Sequence, residues 1–209
     1  MEREQLEQHA RAACESGDHE RAATLLLSHY GDELLAFLIA RLRSDVEGSE
    51  AFSLLCEDLW LGLSGFQWRC SARAWAYALA RNAAHRHARA PHQRRARKLT
   101  LEHNVPLSQL VAEVRSRTEL HRRTETKDRF RELRERLEPD DQMLLILRID
   151  RELSWRDLAQ VMLGDDQAID DDKIHRESSR LRKRFERVKD DIKRMAVEEG
   201  LLADPSVRE

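Results

Sequence analysis

The chemistry-bearing residues of this 209-residue chain crowd into one stretch. Phe66, Trp68, Trp75 and Tyr77 fall within a dozen positions, and Arg81, Arg86, Arg89, Arg94, Arg95, Arg97 and Lys98 follow, with no acid from Arg69 to Lys98. An aromatic face stacks on an unpaired base, at about 1–3 kcal/mol per base, and a basic stripe follows a phosphate backbone. That chemistry is recognition by stacking and charge rather than bond making. Each feature also has a plain structural explanation. Trp75 and Leu79 are four apart, share a helix face and suit a core. A basic run suits a solvated surface. The order of the two along one segment favours nucleic acid, as does a second basic block downstream, with Arg176, Arg180, Arg182, Lys183, Arg184 and Arg187.

Other chemistries find no support in the spacing. No glycine-rich phosphate cradle is present, and no nucleophile stands with a recognisable base and orienting group. His85 and His87, two apart on a helix, do not face a common ligand. The acidic stretch 165–172 lacks the alternating ligands and central glycine of a calcium loop. Cys14, Cys56 and Cys70 are odd in number and not in CxxC spacing, so neither a disulfide framework nor a zinc site is implied. The expectation is a protein that is not an enzyme and takes no metal and no cofactor.

Few glycines (7), few prolines (4) and sparse β-branched residues predict an all-α protein, and 36% charged residues predict thin cores. The net charge of −2 conceals segregation: bases crowd 81–98 and 176–194, and acids gather in the N-terminal third and in 165–172. Local charge therefore says more about partners than the sum. The first residues are charged and lack an apolar signal region, and no apolar run approaches a membrane span. These point to a soluble cytoplasmic protein without a membrane partner.

The elements that must position the aromatic and basic residues read as follows. Residues 2–15 form a short polar helix ending near Gly17, and 19–42 a longer amphipathic one. Residues 44–49 read as a turn and 50–63 as a third helix, broken by Gly65. Ser71 is the N-cap of a fourth helix, rich in Ala and Leu, over 71–90. Residues 92–106 are polar and read as a linker, and 107–137 carry a weak apolar pattern through Leu110, Val114, Phe130, Leu133 and Leu137. Pro139 opens a further helix. Ser154 to Asp157 form a capping box, with Gly164 as the C′ residue. Asp172 is expected to cap a last helix over 173–198. The whole reads as two small helical domains, 1–91 and 128–199, joined by a polar linker, 92–127. The second has helix-turn-helix order, and 200–209 form a tail.

In this order the segments resemble bacterial extracytoplasmic-function RNA polymerase sigma factors, over about residues 20–90 and 131–190. YGDELLAFLIARL resembles the family's opening helix, and SLLCEDLWLGLSGF its polymerase-gripping helix. FQWRCSARAWAYALARN is similar to its melting segment. LEPDDQMLLILRIDRELSWRDLAQVMLG resembles the opening of its promoter-binding domain, and IDDDKIHRESSRLRKRF stands where its recognition helix would be. The chain departs from the pattern at 165–168, which lengthens the turn before that helix and makes it acidic.

The resemblance implies roles for particular residues. Leu55, Glu57, Asp58 and Trp60 would contact core RNA polymerase. Phe66, Trp68, Arg69, Cys70, Arg73, Trp75, Tyr77, Arg81, Asn82 and Arg86 would melt the promoter and hold the single strand. Trp68, Arg69 and Cys70 would set base preference, and Arg73, Arg81, Asn82 and Arg86 would hold backbone phosphates or the duplex edge. Arg176, Ser179, Arg180 and Lys183 would read the upstream promoter element, and Arg182, Arg184 and Arg187 would hold its phosphates. The expected partners are core polymerase, promoter DNA and, by family habit, an anti-sigma factor. Two other readings compete. One is a helix-turn-helix regulator of duplex operators, normally a symmetric dimer. The other is a polymerase-binding adaptor that does not read DNA.

Overall fold

A computed structural model of the chain describes residues 3–89, 109, 112–114, 129–164 and 170–202. Among the described residues there is no strand, and the protein is all-α. The elements are α1 (Arg3–Glu15), α2 (His19–Leu42), α3 (Asp45–Gly62), a single 3₁₀ turn (Leu63–Gly65), α4 (Ala72–Arg89), α5 (Arg129–Glu135), α6 (Pro139–Leu145) continued by a π turn (Ile146–Asp150), α7 (Trp155–Leu163) and α8 (Asp171–Glu198). The chain divides into two compact units. One comprises Met1–Thr124 with Gln160–Ile169, the other Glu125–Ala159 with Asp170–Glu209. This division differs from the expected boundaries by grouping 160–169 with the first unit. The expected linker at 92–106, the basic residues Arg94, Arg95, Arg97 and Lys98, and the lengthened turn 165–168 lie outside the described residues.

In the first unit α1 to α4 pack as a bundle around Leu26, Leu27, Leu34, Phe37, Leu38, Phe52, Leu55, Leu59, Leu63 and Tyr77, all essentially without solvent contact. The boundaries of α2 follow local chemistry. The Asp18 carboxylate accepts from the Arg21 amide at 3.0 Å and starts the helix. At its end Arg43 takes a left-handed conformation, φ 55°. α2 is also long and apolar enough to cross a membrane by length and hydropathy alone, contrary to the expectation from the sequence. Most of that apolar window is packed inside the unit, as in the core helix of a globular protein.

α3 starts earlier than expected. Residues 44–49 are not a turn: Ser44 is an N-cap whose hydroxyl accepts from the Glu47 amide at 3.3 Å, and the helix runs from Asp45. Gly48 is helical because nothing larger fits. A Cβ there would lie 2.5 Å from Ile39 Cγ1 and 2.7 Å from Ile39 Cα. Ser71 caps α4 as expected, accepting from the Ala74 amide at 3.1 Å.

The second unit is built on α8. Its apolar stripe Ile174, Leu181, Phe185 and Val188 is buried together with Met143, Leu144, Leu145 and Leu147. The buried Gln142 amide donates to the Glu135 and Leu137 carbonyls at 3.1 and 2.9 Å, closing the turn between α5 and α6. The Ser154 hydroxyl accepts from the Asp157 amide at 3.1 Å and donates to its carboxylate at 2.8 Å, which opens α7 as the sequence suggests. Gly164 sits at φ 99°, as a C′ glycine should. The cap of α8 is Asp170, not Asp172: its carboxylate accepts from the Lys173 amide at 2.6 Å.

Candidate nucleic-acid interface

The first turn of α4 is saturated before any ligand arrives. The Glu7 carboxylate of α1 accepts from the Ala72 and Arg73 amides at 2.6 and 3.1 Å, and Ser71 takes the next. Tyr30 donates to the same carboxylate at 3.3 Å. Burial and the charge of Glu7 hold the Tyr30 hydroxyl well above its usual pKa. Arg73 corrects the expectation of a phosphate contact. Its side chain is 9% exposed, and its Nε and Nη2 donate to the two Glu33 oxygens, each at 2.7 Å. The guanidinium also lies 5.9 and 5.8 Å from the ring centres of Tyr30 and Tyr77. Burial alone would lower its pKa, but the Glu33 hydrogen bonds and charge outweigh that and raise it. A residue so placed holds the bundle together and is not available to DNA in this conformation.

The aromatics form a layer rather than an exposed ladder. Phe66 stacks on Trp75 at 4.4 Å with an interplanar angle of 12°, and Trp68 tilts over Phe66 at 4.8 Å. Phe66, Trp75 and Tyr77 are buried, with Tyr77 edge-on to Phe37 at 5.4 Å. None of these three presents a free face to a base, contrary to the strand-holding role that the resemblance implies. Trp68 is half-buried, Arg69 is exposed and Cys70 is half-buried. Trp68 also has φ 56°, a left-handed conformation that bulky residues rarely adopt. Local strain of this kind persists only where the surroundings enforce it, and it gathers at ligand-binding loops.

Beside this layer a groove of about 610 Å³ opens between α3 and α4. Asp58, Leu61 and Gly62 line one wall, and Trp75, Leu79, Asn82, His85, Arg86 and Arg89 the other. Gly62 lets the walls meet, since a Cβ there would lie 2.9 Å from Trp75 Cζ2. Trp75 thus belongs both to the aromatic layer and to the groove. Arg81, Asn82 and Arg86 are half-exposed. Arg86 and Asp58 form a two-point ion pair, one arm of which measures 3.1 Å between Nη1 and Oδ1. His85 meets Arg41 at 3.3 Å, and His87 is buried 3.8 Å from Glu50, so the two histidines serve different neighbours. Among the described residues no three of His, Cys, Asp and Glu come together in a way that would hold a metal ion.

The expected polymerase surface on α3 shifts. Leu55 has no solvent exposure and Glu57 is 8% exposed, so neither offers an open surface to a partner. Asp58 and Trp60 are partly accessible, and Leu61, which the sequence reading passed over, is 58% exposed. Leu61 lies off the Phe52, Leu55, Leu59 and Leu63 stripe, and that apolar residue out of register was the available signal. Arg89, in the groove wall, entered only as part of the basic run, and Glu7 was not singled out at all.

In the second unit Arg176, Arg180, Arg182, Lys183 and Arg187 are exposed on α8, and Ser179 is half-buried. Arg184 departs from its expected phosphate role, since its Nε donates to Asp141 at 2.6 Å and ties α8 to α6. Arg180 lies 3.7 Å from Glu177 one turn away, a long and solvent-screened pair. Arg182 and Arg148 flank the Trp155 ring at 5.8 and 4.9 Å. The Ser178 hydroxyl donates to the Trp155 carbonyl at 3.0 Å and pins α8 to the start of α7. Asp171, an acid in the first turn of this helix, pairs with Arg156 at 2.6 Å.

No protein-family model matches the chain, and no curated protein matches it significantly.

Proposed function

We propose that the chain is a sigma factor of the extracytoplasmic-function type, which binds core RNA polymerase and directs promoter recognition and DNA opening. The observation that carries this reading is the continuity at Trp75 between an aromatic layer and a groove walled by Asn82, His85, Arg86 and Arg89. Separating a base from its stack costs a few kcal/mol, which one aromatic contact recovers in part. Trp68, with Arg69 and Cys70 beside it, is the aromatic placed to receive such a base. Arg81, Asn82, Arg86 and Arg89 would hold the backbone that follows. Asp58, Trp60 and Leu61 form the accessible part of α3 for the polymerase. Further along the chain α7 and α8 act as a helix-turn-helix, with Arg176, Ser179, Arg180 and Lys183 toward base edges and Arg182 and Arg187 toward phosphates. An anti-sigma factor is a further expected partner.

The test is promoter-selective run-off transcription with bacterial core polymerase on fragmented genomic DNA. New discrete transcripts are the expected result. Polymerase binding without transcripts would favour an adaptor. Duplex binding without polymerase binding would sink the reading and leave a helix-turn-helix regulator.

A further inference from the structure

The structure brings a residue expected to meet polymerase into contact with one expected to meet DNA. Asp58 of α3 and Arg86 of α4 face each other across the groove, and both arms of the guanidinium meet both carboxylate oxygens. Carboxylate and phosphate present the same paired oxygens to that fork. Asp58 is also the one acid among the described residues that line the groove, and it faces a wall that offers Asn82, His85, Arg86 and Arg89. It therefore stands where a backbone phosphate would stand. The pair is tight but not sealed: the Arg86 side chain is 40% exposed and that of Asp58 22%. Exchange with a solvent-borne anion needs no unfolding.

We propose that Asp58 is an internal stand-in for phosphate that keeps Arg86 from single-stranded DNA in the free protein. This rests on the sigma-factor reading in one respect: a basic polymerase surface docking on α3 would draw Asp58 away and release Arg86. Promoter strand capture is then coupled to polymerase binding through one ion pair. Free protein is prevented from occupying melted DNA elsewhere.

The experiment is a double-mutant cycle on the full chain without polymerase. Asp58→Asn, Arg86→Ala and the double variant are titrated with a fluorescein-labelled single-stranded oligonucleotide of mixed sequence, at several salt concentrations. Asp58→Asn is expected to tighten binding roughly twofold to fivefold at low salt, the scale of one partly exposed ion pair. The slope of log affinity against log salt should steepen by about 0.7, one added phosphate contact on a single strand. Arg86→Ala should change little in the parent and abolish both gains in the Asp58→Asn background. An unchanged affinity and slope in Asp58→Asn would overturn the proposal. So would a gain that survives removal of Arg86, which reports only general charge repulsion, and so would absence of DNA binding by every variant at low salt. Saturating core polymerase should erase the advantage of Asp58→Asn over the parent. Transcription by the parent is scored separately, so failure of the ion-pair proposal and failure of the sigma reading leave different records.

Discussion

At the scale of single residues, buried charge decides most. Arg73 sits among Ala72, Ala74 and Trp75 in a segment without acids, so the sequence offers it to DNA. Its partner Glu33 lies forty positions away on another helix, and no local pattern links them. Removing one member of such a pair leaves a charge uncompensated in a poor solvent, at about 3–5 kcal/mol, whereas replacing both by apolar residues is often neutral. Glu33→Leu is therefore expected to lower unfolding free energy in urea by about that much. Glu33→Leu with Arg73→Met should recover most of it. Equal losses in the single and double variants would show that the pair is not the cause. Ser71, Pro139, Ser154 and Gly164 were all legible in sequence, because each acts on its own backbone neighbours. Glu7, Asp58 and Arg73 were not legible, because their roles exist only across helices.

At the scale of elements, close approach replaces propensity. The start of α3 was misread as a turn because Gly48 and the surrounding acids resemble one. In fact the glycine admits Ile39 of α2. Gly48→Ala gains up to about 1 kcal/mol of helix propensity. The added methyl would lie 2.7 and 2.9 Å from the Ile39 Cα and N, which cannot rotate away. A net loss of about 1–3 kcal/mol is expected, the usual scale of overpacking. Gly65→Ala is the control, with nothing within 4 Å of its Cβ and no positive φ, and thermal unfolding should separate the two. On α8 the same reasoning parts two arginines that look alike in sequence. Arg187→Ala should reduce the salt slope of duplex binding by about 0.9, one phosphate contact. Arg184→Ala should leave that slope unchanged and cost about 1 kcal/mol of stability, because its partner is Asp141. A slope change for Arg184→Ala would return it to the DNA surface.

At the scale of the whole molecule, the first unit extends beyond the boundary that composition suggests. Val114 is fully buried, and a Cβ on Gly31 would lie 2.8 Å from its Cγ2, so it packs directly on α2. Polar sequence around it made 92–127 read as linker throughout, although Val114 itself belonged to the weak apolar pattern. A chain truncated after residue 91 leaves a hole over Gly31, and one truncated after residue 124 does not. The shorter chain is expected to unfold at lower urea concentration by about 1–3 kcal/mol, the scale of one lost buried valine. Equal midpoints would show that Val114 adds nothing.

The carboxylate of Glu7 and the amide of Ala72 are 65 positions apart. A ribosome adding about 5–20 residues per second takes on the order of 3 to 13 s to cover that interval. α1 thus waits for α4, and until then its acid lacks the α4 amides that it caps. For that interval the Glu7 carboxylate is open to other hydrogen-bond donors.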